Sequence, residues 1–167
     1  MSPVLVTSPE GMASLTHLFF PGQGAFGDCM TKLRNLDLVD PIVEWIQADK
    51  PFFGICIGYQ LLFESSEESP GIDGLSILEG KVIRFVEEGF KVPHMGWNGA
   101  KLQDPACGPW TNLGAEPYFY FVHSYYPEPK DKAISASVTS YAGNFTSAIQ
   151  RGRLVATQFH PEKSQKA

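Results

Sequence analysis

A cysteine, a histidine and a glutamate carry the reactive chemistry that this sequence offers. Cys56 lies within Gly54-Ile55-Cys56-Ile57-Gly58, and His160 is separated from Glu162 by Pro161 alone. A thiol beside a base can attack a carbonyl carbon. A carboxylate two residues beyond an imidazole can orient that base without taking the proton itself. The chemistry on offer is therefore acyl transfer through a Cys-His-Glu triad. Each part also has a plainer reading: an apolar-flanked cysteine is typical of protein cores, and His-x-Glu is typical of surface turns.

The elements that would position these groups are legible around them. Phe52 to Ile55 is a bulky apolar run that reads as a buried strand, and a helix-compatible run starts at Ile57. Strand, sharp turn and helix, with Gly54 and Gly58 leaving room for close approach, make a nucleophile elbow. The helix N-terminus after Cys56 is expected to favour thiolate over thiol. His160 follows the apolar run Leu154 to Phe159, so it would project from a strand end, with Pro161 stiffening the turn to Glu162. Gly22-Gln23-Gly24-Ala25-Phe26-Gly27 matches G-x-G-x-x-G after a strand. The dinucleotide reading fails in context, because the next strand ends in Cys56 rather than in an acidic residue for the ribose. The alternative is an oxyanion hole, with backbone N–H groups at Gln23 and at Ile57 facing a reacting carbonyl.

Taken in order, Val4 to Thr7 and Leu15 to Phe20 read as strands. Asp28 is a plausible N-cap for a helix through Met30 and Leu33, and Leu38, Ile42 and Ile46 fall on one face of a second helix that Pro51 terminates. Glu64 to Gly74 is polar and reads as a loop. Beyond Gly80 come short runs rich in β-branched and aromatic residues: Val82 to Val86, Phe90 to Pro93, Tyr118 to Tyr126, Ala133 to Thr139, Phe145 to Ile149 and Leu154 to Phe159. An alternating first half and a strand-rich second half predict an α/β fold with a mixed sheet flanked by helices.

The 167 residues suffice for a single domain over 1–167, and 43% hydrophobic with 19% charged residues is ordinary globular composition. No apolar run approaches the roughly 20 residues of a membrane span, and no secretory signal is evident. A net charge of -5 without a Lys/Arg cluster argues against nucleic acid. Cys29, Cys56 and Cys107 show no paired spacing, so neither disulfides nor a thiolate zinc site is indicated, and a reducing cytoplasm fits. His17, His94 and His123 lack metal-ligand spacing and read as structural.

Three segments, Pro-Gly-x-Gly-Ala-Phe-Gly at 21 to 27, Gly-Ile-Cys-x-Gly-x-Gln-Leu-Leu-Phe-Glu at 54 to 64 and His-Pro-Glu-Lys-Ser-Gln at 160 to 165, together resemble the class I (triad-type) glutamine amidotransferases. Val-Pro-His-Met-Gly-Trp-Asn at 92 to 98 and Tyr-Phe-Val-His-Ser-Tyr-Tyr at 120 to 126 resemble, more narrowly, the glutaminase subunits of imidazole glycerol phosphate synthases in histidine biosynthesis. The resemblance implies a flavodoxin-like fold, a triad of Cys56, His160 and Glu162, and no cofactor or metal. It implies glutamine binding at Gly24, Gln60, Glu68, Ser124 and Tyr125. It also implies ammonia delivery to a (β/α)8-barrel cyclase partner, with Trp97 and Asn98 near the interface. Relative to that family the chain is expected to lack the usual first strand and last helix, and Gln23 stands where a small apolar residue, commonly valine, is usual. Those departures keep two alternatives in view: a non-catalytic partner-binding fragment, and an amidotransferase subunit of a different synthase.

Overall fold

In the strand Phe52–Ile55 (β2), Phe52 and Gly54 are buried while Phe53 and Ile55 are only half-buried, so one face packs on helices and the other does not. The computed structural model, which describes residues 3–86, 88–106 and 108–164, builds its main sheet around this strand. β2 pairs in parallel with Leu18–Phe20 (β1) on one side and with Leu154–Thr157 (β11) on the other. Beyond β11 the sheet turns antiparallel through Asn144–Arg151 (β10), Ser135–Ser140 (β9) and Lys101–Leu102 (β6), giving the order β1-β2-β11-β10-β9-β6. The mixed sheet expected from the sequence is therefore present. Ser65–Ser66 (β3), Gly80–Arg84 (β4) and Tyr125–Pro129 (β8) form a second sheet, and His94–Gly99 (β5) with Tyr118–His123 (β7) a third.

Helices Phe26–Asn35 (α1) and Val39–Gln47 (α2) bury Phe26, Met30, Leu33, Ile42, Trp45 and Ile46, the i, i+3, i+4 stripe that their sequences carry. These residues join Phe52, Leu154 and the fully buried Tyr59, Leu61, Leu62 and Phe63 in one apolar core. A second core is aromatic: Phe85, Trp110, Phe119, Phe121, Phe145 and Phe159 cluster between the antiparallel strands. Phe119 and Phe159 stack there at 3.9 Å between centroids.

Several sequence expectations are corrected. Val4 to Thr7 forms no strand: Val4 and Leu5 are 70% and 87% exposed, with no neighbouring strand to pair with. Phe90 to Pro93 is also irregular, and the strand in that region is β5, whose His94, Gly96 and Asn98 hide the usual strand composition. Asp28 is not the N-cap of α1. That position belongs to Ala25, and the free N–H groups of Phe26 and Gly27 are satisfied from afar by Glu68 Oε2 at 2.8 Å and Ser69 Oγ at 3.0 Å. The helix after Cys56 is one turn, Ile57–Gln60 (α3). Carbonyls that would continue it instead accept N–H groups from a later segment: Leu75 bonds Leu61, and Ile77 and Leu78 both bond Leu62. Cys107 and Gln165 lie outside the described residues.

Candidate active site

Cys56 occupies the junction of β2 and α3 with φ 51° and ψ −104°. A residue bearing a Cβ holds such a conformation at a cost of about 1–3 kcal/mol, so the surroundings must enforce it. They do so by hydrogen bonding and by the absence of side chains. The Cys56 N–H donates to Thr157 O of β11 at 2.7 Å, and Cys56 O accepts from Tyr59 and Gln60 at 3.0 and 3.1 Å. A Cβ on Gly54 would stand 2.6 Å from Gly58 O, and one on Gly58 would stand 2.3 Å from Phe20 O. A Cβ on Gly22 would lie 2.0 Å from Ile55 O and 2.7 Å from both Cys56 Cβ and Ile57 N. The glycine loop that begins at Gly22 is thus packed directly against the elbow.

Burial pushes the Cys56 thiol up to about 11. The Ile57 N–H bond and the Lys163 charge act in the opposite direction, while the Glu162 and Glu68 carboxylates reinforce the rise. The expected helix-dipole activation is therefore corrected: a single turn supplies little dipole, and desolvation outweighs it. At neutral pH Cys56 is a thiol, and its use as a nucleophile requires a base.

The neighbouring strand leads to a histidine. β11 runs parallel to β2 with Thr157 opposite Ile55, so the chain leaving β11 passes the elbow and reaches His160. His160 is 2% exposed, and its Nδ1 lies 2.7 Å from Glu162 Oε1. An Nδ1–H donated to that carboxylate leaves Nε2 as the free acceptor. The backbone of His160 is clamped to β7: its N–H donates to Tyr120 O at 2.9 Å, Ser164 Oγ donates to His160 O at 2.6 Å, and the Tyr120 N–H donates to Ser164 Oγ at 3.0 Å. Pro161–Lys163 forms a single 3-10 turn that carries Glu162 back toward the ring.

The remaining expected positions have partners of their own. Gln60 is buried and donates from Nε2 to Tyr125 O at 2.9 Å and to Gln158 Oε1 at 3.1 Å. Gly24 has φ 113°, a conformation that suits glycine, and Gln23 O accepts from the Cys29 thiol at 3.6 Å. The Glu68 carboxylate, besides capping α1, is near enough to act on Cys56. Ser124 separates β7 from β8, and its carbonyl accepts from the Phe85 N–H at 3.1 Å. Trp97 and Asn98 lie on β5, away from this cluster, with Trp97 48% exposed. Sequence reasoning missed Gln158, fully buried, whose Nε2 donates to Cys56 Sγ at 3.5 Å. A glutamine inside the apolar run Leu154 to Phe159 was the available signal. It missed Ser164 as well, although that residue stands inside the His160 motif.

The sequence profile described as glutamine amidotransferase class-I matches residues 15–167. The chain belongs to the class-I glutamine amidotransferase family. This amidotransferase is 46% identical to the imidazole glycerol phosphate synthase subunit HisH of Synechococcus elongatus, covering 99% of its own length and 77% of the relative's. It is likewise 46% identical to the subunit of that name from Rhodopirellula baltica, covering 96% and 78%. Among solved structures, a crystal structure of a glutamine amidotransferase superposes with a TM-score of 0.72 at 18% identity, over 94% of this chain and 76% of that one. The glutaminase domain of Trypanosoma brucei CTPS with bound acivicin superposes with a TM-score of 0.64 at 16% identity, over 92% and 66%. At these identities the structural likeness speaks for the fold, which is the class I amidotransferase fold.

Proposed function

We propose that this protein is the glutaminase subunit of an imidazole glycerol phosphate synthase, acting in histidine biosynthesis as a single amidotransferase domain over residues 1–167. Cys56 is its nucleophile, His160 its base and acid, and Glu162 the residue that orients His160. The observation that carries the reading is the pairing of β2 with β11, which sets the elbow of Cys56 beside the strand that delivers His160 and its 2.7 Å contact with Glu162.

The steps follow from the protonation states. His160 Nε2 takes the Cys56 proton as sulfur attacks the side-chain amide carbon of glutamine. The resulting oxyanion is met by the backbone N–H groups of Ile57 and Gln23. The same imidazole returns the proton to the amide nitrogen, which leaves as ammonia with a γ-glutamyl thioester on Cys56. Water, deprotonated by His160, cleaves that thioester to glutamate and restores the thiol. Gly24, Gln60, Glu68, Ser124 and Tyr125 surround the bound glutamine. No cofactor or metal takes part.

Ammonia passes to a (β/α)8-barrel cyclase that forms imidazole glycerol phosphate and an aminoimidazole-carboxamide ribonucleotide. The docking face includes Trp97 and Asn98. Support comes from the outward side of β5 and β7, where Met95, Trp97 and Tyr118 are 61%, 48% and 60% exposed, a concentration of large apolar side chains typical of a subunit interface. The heterodimer works in the cytoplasm; among the described residues no helix is long and apolar enough to cross a membrane.

The test is glutamate release by the purified chain with the cyclase and its nucleotide ligand. Wild type releases glutamate and Cys56→Ala does not. Equal release by the two proteins removes the assignment.

A further inference from the structure

His94 and His123, which the reaction does not use, are joined to each other and to the site. His94 is 3% and His123 6% exposed, inside a cage of Phe85, Phe121, Tyr141 and Phe145. His94 stacks on Tyr141 at 4.0 Å between ring centroids and on Phe121 at 4.7 Å. The ring nitrogens have fixed neighbours: Asn98 Nδ2 to His94 Nε2 at 3.2 Å, His94 Nδ1 to His123 Nε2 at 3.1 Å, and His123 Nδ1 to Tyr125 O at 2.8 Å.

Donor and acceptor chemistry allows one assignment of protons along this row. Tyr125 O can only accept, so His123 Nδ1 carries a hydrogen and its Nε2 is the acceptor in a neutral ring. His94 Nδ1 must then donate to it, and His94 Nε2 must accept from the Asn98 amide. The amide is itself oriented, because Asn98 Oδ1 accepts from the Gly99 N–H at 2.8 Å and Asn98 Nδ2 also donates to Ser140 O at 3.1 Å. A second proton on either ring would aim one N–H at another. From Tyr125 O the row continues, since that carbonyl also accepts from Gln60 Nε2, Gln60 donates to Gln158 Oε1, and Gln158 donates to Cys56 Sγ.

We propose that His94 and His123 are positioning residues: a directional row of hydrogen bonds from Asn98 on β5 through both imidazoles sets the Tyr125 peptide and, through Gln60 and Gln158, the Cys56 sulfur. The row ends at Asn98, next in sequence to Trp97 but with its side chain on the opposite face of β5, so it ties this strand to the elbow. This deepens the glutaminase reading and rests on it for its kinetic consequence. Fully satisfied buried networks of this kind rigidify what they touch, and partly satisfied ones do not. Neither ring is exposed enough to exchange its partners with water.

The experiment has two arms. Long-range nitrogen–proton NMR on the wild-type chain at pH 7 reads the tautomers directly, with or without glutaminase activity. Both rings are expected as neutral Nδ1–H tautomers, and an Nε2–H or charged form of either overturns the proposal. The second arm compares His123→Leu with His123→Asn in the complex with the cyclase. The asparagine amide can stand where Nδ1 stood and donate to Tyr125 O, whereas leucine cannot. A fall of roughly tenfold in kcat/KM is expected for leucine, with asparagine within about threefold of wild type, because small displacements of reacting groups have effects of this size. Equal loss in both variants, or loss in neither, overturns the proposal. A wild type that shows the expected tautomers but never hydrolyses glutamine counts against the proposed function and leaves the hydrogen-bond row standing.

Discussion

Around Cys56 the chain is shaped by side chains that are missing, whereas around His160 it is shaped by polar groups that are present. Gly22, Gly54 and Gly58 let three backbone segments meet where a Cβ would stand 2.0–2.6 Å from a carbonyl oxygen. The His160 side uses Ser164, Tyr120 and Glu162, each at hydrogen-bond distance. The two cores differ as well, one mixing aliphatic and aromatic side chains under α1 and α2, the other mainly aromatic and packed around two histidines. The nucleophile's side should therefore be intolerant of added volume. The base's side should tolerate volume better and respond to protons and to lost hydrogen bonds.

Acid should give the largest effect and separate the two sides most clearly. Burial holds His94 down to about 4 and His123 to about 3, from an ordinary value of 6.5. Below pH 6.5 the unfolded chain takes up protons that the folded rings refuse. The stability that neutral rings contribute is therefore complete above pH 6.5 and is lost as pH falls toward about 4 for His94 and about 3 for His123. The slope is on the order of 1.4 kcal/mol per pH unit for each ring. Urea titrations at pH 7, 6 and 5 measure it, and replacing His94 should flatten the dependence.

Gly58→Ala comes next, because its new Cβ would meet Phe20 O, a backbone atom that cannot swing aside. A loss of about 3 kcal/mol in denaturant unfolding is expected, with the slope against pH unchanged. Glu162→Gln should leave stability nearly untouched, since Glu162 is half-exposed, while lowering kcat roughly 10²-fold through a poorly oriented and less stabilised imidazolium. Steady-state kinetics in the complex with the cyclase checks it. Ser164→Ala should cost about 2 kcal/mol of stability, since it leaves the Tyr120 N–H without its partner. Its glutaminase rate should fall as well, which Gly58→Ala at low temperature should match only if the elbow itself has shifted.

Much of this division was readable from residue order, and the reasons it stopped short are physical. The elbow was legible because three local signals coincide: the apolar strand Phe52–Ile55, the flanking glycines, and the cysteine between them. His160 and Glu162 were legible because their contact spans two residues. The one-turn length of α3 was not, since the N–H groups of Leu75, Ile77 and Leu78 that divert its carbonyls come from a distant segment. β5 escaped notice because its buried positions are His94 and Gly99 rather than branched apolar residues. The cap of α1 was misassigned for the same kind of reason, as Glu68 reaches it across 42 positions of sequence. The thiol of Cys56 was expected to be acidic from its place at a helix start, and its burial against β11 reversed that.

In the proposed reaction the sulfur of Cys56, unreactive by itself at neutral pH, becomes the nucleophile through His160. Acid-quenching the complex with the cyclase during turnover of saturating glutamine, followed by peptide mapping by mass spectrometry, tests this directly. A γ-glutamyl adduct on the peptide containing Cys56, absent from the His160→Ala protein, is predicted. An adduct on Cys29, or one on Cys56 that forms as fast without His160, would contradict it.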